Sequence, residues 1–170
     1  QFPDISIAAE ETFHIVLNQA YSESYGDDFI PDLVMFTGYD NSMLETGTVP
    51  ISSFGTANNK IEESSGMLIL FYWDGSASSP SKDIDYFLWG DYQYAIDKSN
   101  ESGYQNDTPV SDQLYFEYEA QEYSGYSRIG TNEIDEIEFG GNGITGHDET
   151  SENFRQSWEI IPLSSATFVT

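Results

Sequence analysis

Two apolar runs, residues 67–73 (MLILFYW) and 83–89 (DIDYFLW), stand on either side of a turn cluster at 75–81 (GSASSPS). Runs of this length, rich in aromatic and β-branched residues and bounded by Gly, Ser and Pro, read as strands rather than helices. The first is continuous enough to be a strand covered on both faces. The same reading extends along the chain in shorter pieces: 4–8 (DISIA), 12–17 (TFHIVL), 32–36 (DLVMF), 114–118 (LYFEY), 133–139 (EIDEIEF), 158–161 (WEII) and 166–169 (ATFV). Only residues 111–121 offer a weak helical competitor. Twelve Tyr, eleven Phe and three Trp supply large side chains for a core and favour extended backbone. Many short strands separated by Gly, Asn, Asp and Ser predict an all-β chain, a sandwich or a barrel. The length fits a single domain over residues 1–170.

Charge limits the partners. Thirty acidic residues stand against five basic ones, a formal net charge of -25. Such a surface repels nucleic acid and anionic membranes, which both need clustered Lys and Arg. It attracts cations, and its self-repulsion calls for counter-ions that screen it or bind it. There is no cysteine, so disulfides, thiolate metal sites and cysteine nucleophiles are excluded together. No apolar stretch approaches the roughly 20 residues of a membrane-spanning helix, and membrane insertion is not expected. The chain opens on Gln1 rather than Met. The expectation is a secreted or cell-surface protein freed of its signal peptide, the alternative a chain cut at a boundary.

The most distinctive piece is residues 140–154 (GGNGITGHDETSENF), where four glycines in seven residues enforce a loop and an acidic cluster follows. The stretch GNGITGHDETSENFRQSW is similar to the C-terminal signature of bacterial lamin-tail-like domains: glycine-rich, then D-E-T-S-E, then Trp. SGMLILFYWDGS resembles that family's long hydrophobic strand, and DIDYFLWGD its D-x-D-Y-x-x-W-G strand. Asn106-Asp107-Thr108 stands where the family has a D-T-A-like turn, and Tyr126-Ser127-Arg128-Ile129 matches the short strand before the glycine-rich loop. The resemblance covers about residues 64 to 160. It implies an immunoglobulin-like β-sandwich in a secreted or surface-attached protein that acts as an adhesion, anchoring or accessory module. It implies no catalytic residues.

The sharpest chemical expectation is a divalent cation, Ca²⁺, which takes six to eight hard oxygens. Asp148, Glu149, Glu152 and Asn153 beside the glycine-rich loop offer such oxygens, and Asp74, Asp83, Asp85 and Asp91 flank the two long strands. No EF-hand spacing is present, and a solvated acidic surface is the competing reading. Glu133, Asp135, Glu136 and Glu138 read as the charged face of a strand that resists edge pairing. His14 and His147 lack a spacing partner for zinc. Trp73 and Trp89 read as core residues, while Tyr86, Tyr92 and Tyr94 with Tyr21, Tyr25, Tyr123 and Tyr126 suggest a sugar-stacking surface.

Strand-like ends at residues 1–10 and 164–170 suggest terminal assembly strands exchanged between subunits, a head-to-tail contact that builds a filament or tube. The functional expectation is therefore a non-catalytic extracellular structural or adhesion module, cation-stabilised and self-assembling into a homopolymer. The alternatives are a Ca²⁺-dependent carbohydrate-binding module that takes surface glycans and, third, a hydrolase using paired carboxylates.

Overall fold

The structure, a computed structural model, describes residues 2, 4–9, 11–16, 30–35, 61, 64–76, 78–121 and 124–162. The chain divides into two compact units: Gln1–Ile61 with Ser164–Thr170, and Glu62–Leu163. Among the described residues, strands dominate the regular structure in both. The described backbone at residues 4–9 carries no strand, and the strand expected at 166–169 lies outside the described residues, as do Tyr21, Tyr25 and Tyr123.

In the first unit the described parts of the runs 12–17 and 32–36 hold a pair of two-residue strands, β1 (Ile15–Val16) and β2 (Leu33–Val34). They pair in parallel, Ile15 opposite Leu33 and Val16 opposite Val34. Asp32 fixes the approach: its Oδ2 accepts the His14 backbone N–H at 2.7 Å and lies 3.3 Å from the ring Nδ1. The His14 N–H is also the main reason its carboxyl sits below the usual range.

The second unit holds two antiparallel pairs. β3 (Gly66–Tyr72) pairs with β4 (Lys82–Trp89), with a register shift between Leu70 and Phe71. β5 (Ser124–Arg128) pairs with β6 (Trp158–Pro162), and a single-turn helix, α1 (Phe154–Ser157), leads into β6. The turn expected between the two long runs is closed by Asp74 Oδ1, which accepts the Ser76 N–H at 2.8 Å.

The expectation that the first long run is covered on both faces is not met. Tyr86, Phe87, Leu88 and Trp89 of β4 are all buried, whereas Leu68, Leu70, Phe71 and Tyr72 of β3 are exposed. The reason is position in the sheet. β4 has β3 on one side and, on the other, isolated parallel bridges from Trp89 to Phe116 and from Asp83 to Gly143. Among the described residues β3 pairs with β4 alone. The run 114–118 is not a ladder strand: it touches β4 through Phe116, whose N–H donates to Leu88 O at 2.9 Å while its carbonyl accepts from Gly90 N at 2.8 Å. Gly90 turns this corner at φ 82°, and a Cβ there would sit 2.0 Å from Ser64 O, so no other residue fits.

Aromatic rings join the two pairs. Phe87 of β4 stacks on Trp158 of β6 at 3.9 Å between centroids and meets Tyr126 of β5 edge-on at 5.3 Å and Phe154 at 5.8 Å. Offset and edge contacts of this kind add to the area they bury. Two tyrosines read from sequence as sugar-stacking belong to this interior. Tyr86 is buried and its OH donates to Gln113 Oε1 at 3.2 Å; burial also pushes its phenol up. The Tyr126 OH donates to Tyr118 O at 3.2 Å and accepts from Ala120 N at 2.9 Å.

Candidate metal centre

The site grows from the first half of β4. Asp83 and Asp85 stand on either side of the register shift in β4, Asp83 opposite Phe71 and Asp85 opposite Leu70. Asp83 is buried, and its backbone receives the glycine-rich loop: Asp83 N donates to Asn142 O at 3.0 Å, and Ile144 N donates to Asp83 O at 2.7 Å. Its carboxylate lies 2.8 Å from Lys98 Nζ, which also stands 2.9 Å from Asp107 Oδ2. Desolvation pushes the Asp83 carboxyl up, against the pull of Lys98. Desolvation works to lower the Lys98 ammonium, but the two carboxylates outweigh it and the net shift is upward. Asn142 then ties this triad to the next loop, with Nδ2 donating to Asp107 Oδ1 and to Gln105 O, and Oδ1 accepting from Gln105 N at 2.6 Å.

Asp148 organises the turn that follows. Its Oδ1 accepts from Thr150 Oγ1 at 2.6 Å and Thr150 N at 3.1 Å, and its Oδ2 from Thr108 Oγ1 at 2.7 Å. These three protein donors engage both carboxylate oxygens. The segment expected as a strand at 133–139 is a turn instead. Asp135 adopts φ 62°, which breaks the extended path. Its backbone is clamped to the acidic loop by Asn153 N to Ile134 O at 2.8 Å, Asp148 N to Ile137 O at 2.9 Å and Ile137 N to Ser151 Oγ at 2.8 Å. Glu133 then stands near Asp85 of β4, and Glu136 near Glu133 and His147.

Arg128, at the end of β5, lies over the Trp158 ring and neutralises two acids, reaching Glu152 Oε1 at 2.5 Å and Asp85 Oδ1 at 2.6 Å. Glu133 is further from it, at 3.9 Å. Beyond the reach of Arg128 stands Glu149. It is 6% exposed and makes no hydrogen bond or ion pair among the described residues. Burial, then the charges of Glu136, Glu133, Asp85 and Asp83, push its carboxyl up to about 8. Glu136 has a side chain only 5% exposed; one oxygen lies 2.8 Å from His147 Nδ1 and the other has no hydrogen-bond partner. Burial and then Glu133 push it up to about 7, with His147 working the other way.

Two groups of possible ligand atoms result, each lying within 4.8 Å of one another: Asp85, Glu133 and Glu149, and Glu133, Glu136 and His147. Of the residues picked from sequence, Asp83, Asp85, Asp148, Glu149, Glu152 and Asn153 converge on this end of the unit. Asp148 and Glu152 are engaged by protein donors, as is Asp85 through its Oδ1, and Asn153, the N-cap residue of α1, makes no side-chain capping bond but donates from Nδ2 to Asp135 Oδ2 at 3.1 Å. Asp74 and Asp91 are not in either group; each accepts a backbone N–H of its own turn, Asp91 from Gln93 at 2.7 Å. From sequence, Glu133 and Glu136 read as the charged face of a strand rather than as metal ligands, and Lys98 and Arg128 carried no role in the site. The signal for the two glutamates was present, because apolar residues at 134 and 137 are three apart, a spacing a strand cannot place on one face. No protein-family model, curated protein or solved structure matches the chain.

Proposed function

We propose that the chain is a non-catalytic structural or adhesion module of an extracellular or cell-surface protein, with a lamin-tail-like, immunoglobulin-like β-sandwich stabilised at its loop end by a divalent cation, calcium. The observation that carries this reading is the use made of the buried polar groups. They clasp loops to strands, through Asp83 with Lys98 and Asp107, Asp148 with Thr108 and Thr150, and Arg128 with Asp85 and Glu152. Negative charge exceeds what Lys98 and Arg128 balance, and a cation of higher charge answers that excess.

The sandwich is supported by the aromatic faces of the two strand pairs, which meet through Phe87 and Trp158. Self-assembly belongs to the same reading. β3 leaves one edge without a strand neighbour among the described residues and exposes Leu68, Leu70, Phe71 and Tyr72, a surface that pairs readily with another chain. A carbohydrate-binding reading retains exposed Tyr92 and Tyr94 in its favour, and a glycan array tests it.

Size-exclusion chromatography, electron microscopy and thermal unfolding with Ca²⁺ and with chelator decide the main reading. Long assemblies and a higher Tm in Ca²⁺, both lost in chelator, are expected. A monodisperse monomer whose Tm ignores both additions overturns it.

A further inference from the structure

Building on that cation-stabilised reading, we infer that Asp85, Glu133 and Glu149 form the seat of one hard divalent cation of the calcium class, with Glu136 as the adjoining wall. Three separate features converge on this position. The first is spacing. Ca²⁺ holds its oxygens at about 2.3–2.6 Å, which sets oxygens on opposite sides about 5 Å apart and neighbouring ones closer. The three carboxylate oxygens lie within 4.8 Å of one another, inside that limit.

The second is Glu149. A buried carboxylate is normally paired or hydrogen-bonded. Glu149 is buried, has no partner among the described residues, and faces two more acids. Its position is held rather than incidental. Asp148 N-caps the short turn that carries it, and a Cβ on Gly143 would come within 2.8 Å of Glu149 Oε1, so the loop backbone walls the carboxylate. The third is Glu136, whose buried Oε1 lacks a hydrogen-bond partner beside the same Glu133.

The donor set selects the metal. The Asp85, Glu133 and Glu149 group offers carboxylate oxygen alone, which suits Ca²⁺ and Mg²⁺ rather than softer ions. Acids drawn from β4 and two loops make a loose cage, and Ca²⁺ tolerates irregular coordination that Mg²⁺ does not. Arg128 lies on the Asp85 side, 3.9 Å from Glu133, and with Asp83 and Glu152 completes the charged surroundings. His147 faces the seat through Glu136. If the His147 group were the true centre instead, Zn²⁺ would be its ion.

The test uses the full chain, stripped with chelator, and titrates CaCl₂, MgCl₂ and ZnCl₂ by calorimetry and thermal unfolding. One Ca²⁺ per chain is expected, with affinity reduced at least tenfold in Glu149→Gln and in Glu133→Gln. Glu133 is partly exposed, so its variant keeps the fold should Glu149→Gln fail to fold. Asp74→Asn, outside the cluster, is expected to bind as the parent does. Equal Ca²⁺ affinity in parent, Glu149→Gln and Glu133→Gln overturns this site while leaving cation stabilisation in force elsewhere. No response to Ca²⁺ in the parent overturns both. A Zn²⁺ response lost in His147→Gln, with none to Ca²⁺, assigns the centre to the histidine group and overturns the calcium seat.

Discussion

The fold favours the protonated form of the Glu149 and Glu136 carboxyls. Glu149 rises from 4.5 to about 8 and Glu136 from 4.5 to about 7. Between the unfolded and folded values the native state holds a proton that the unfolded chain has released. Stability from each group is therefore complete below about 4.5 and is lost as pH climbs through the folded value. For metal-free protein the expected loss between pH 5 and pH 8 is on the order of 2–5 kcal/mol for Glu149, at about 1.4 kcal/mol per unit. Glu136 adds less, because the two share their mutual repulsion. Urea unfolding at a series of pH values checks this, and Glu149→Gln should flatten the dependence. A stability that rises from pH 5 to pH 8 in the metal-free parent would refute the assignment. Because ionisation is what a cation requires, Ca²⁺ should bind with proton release at pH 7. At this scale the sequence revealed part of the site. Asp148, Glu149 and Glu152 announce themselves as an acidic run beside glycines. Which of them is open does not, since that depends on Thr108 and Arg128, distant in sequence, reaching Asp148 and Glu152 but not Glu149.

Elements explain why the loops hold still enough to present these acids. Thr150 is fully buried and joins two of them: its hydroxyl accepts the Thr108 N–H at 2.9 Å and donates to Asp148 Oδ1 at 2.6 Å. Thr150→Val keeps the shape and removes both bonds, leaving a donor and a charged acceptor short of partners. The expected cost is about 2–4 kcal/mol, with faster hydrogen exchange at the Thr108 amide. An unchanged exchange rate there would show that the hydroxyl is not what secures the loop. Strand existence was legible from the apolar runs behind β3, β4 and β6. Strand environment was not. The run at 67–73 is the more apolar of the two long ones, yet β4 is the one enclosed, because Phe116 and Gly143 approach it from far along the chain. The segment 133–139 failed as a strand for a local reason: Asp135 at φ 62° turns the backbone, and the acids then follow the turn inward.

Across the whole molecule, two cation effects should separate. A net charge of -25 repels itself over distances set by the Debye length, about 30 Å at 0.01 M salt and about 8 Å at 0.15 M. Monovalent salt therefore relieves diffuse repulsion between exposed carboxylates and should raise Tm smoothly, to a similar extent in the parent and in Glu149→Gln. It has little purchase on a buried acid, because screening falls off where ions cannot enter. Ca²⁺ at a seat acts differently, stabilising by mass action in proportion to its binding to the native state alone. At 0.5 M NaCl, where diffuse repulsion is already screened, millimolar Ca²⁺ should still raise the Tm of the parent by several degrees and leave that of Glu149→Gln where it was. Scanning calorimetry over a grid of NaCl and CaCl₂ concentrations reads both effects at once. If the Ca²⁺ increment disappears in 0.5 M NaCl, the acidity of this chain acts only as a diffuse surface field. If it persists and tracks Glu149, one buried carboxylate converts that field into a specific dependence on calcium.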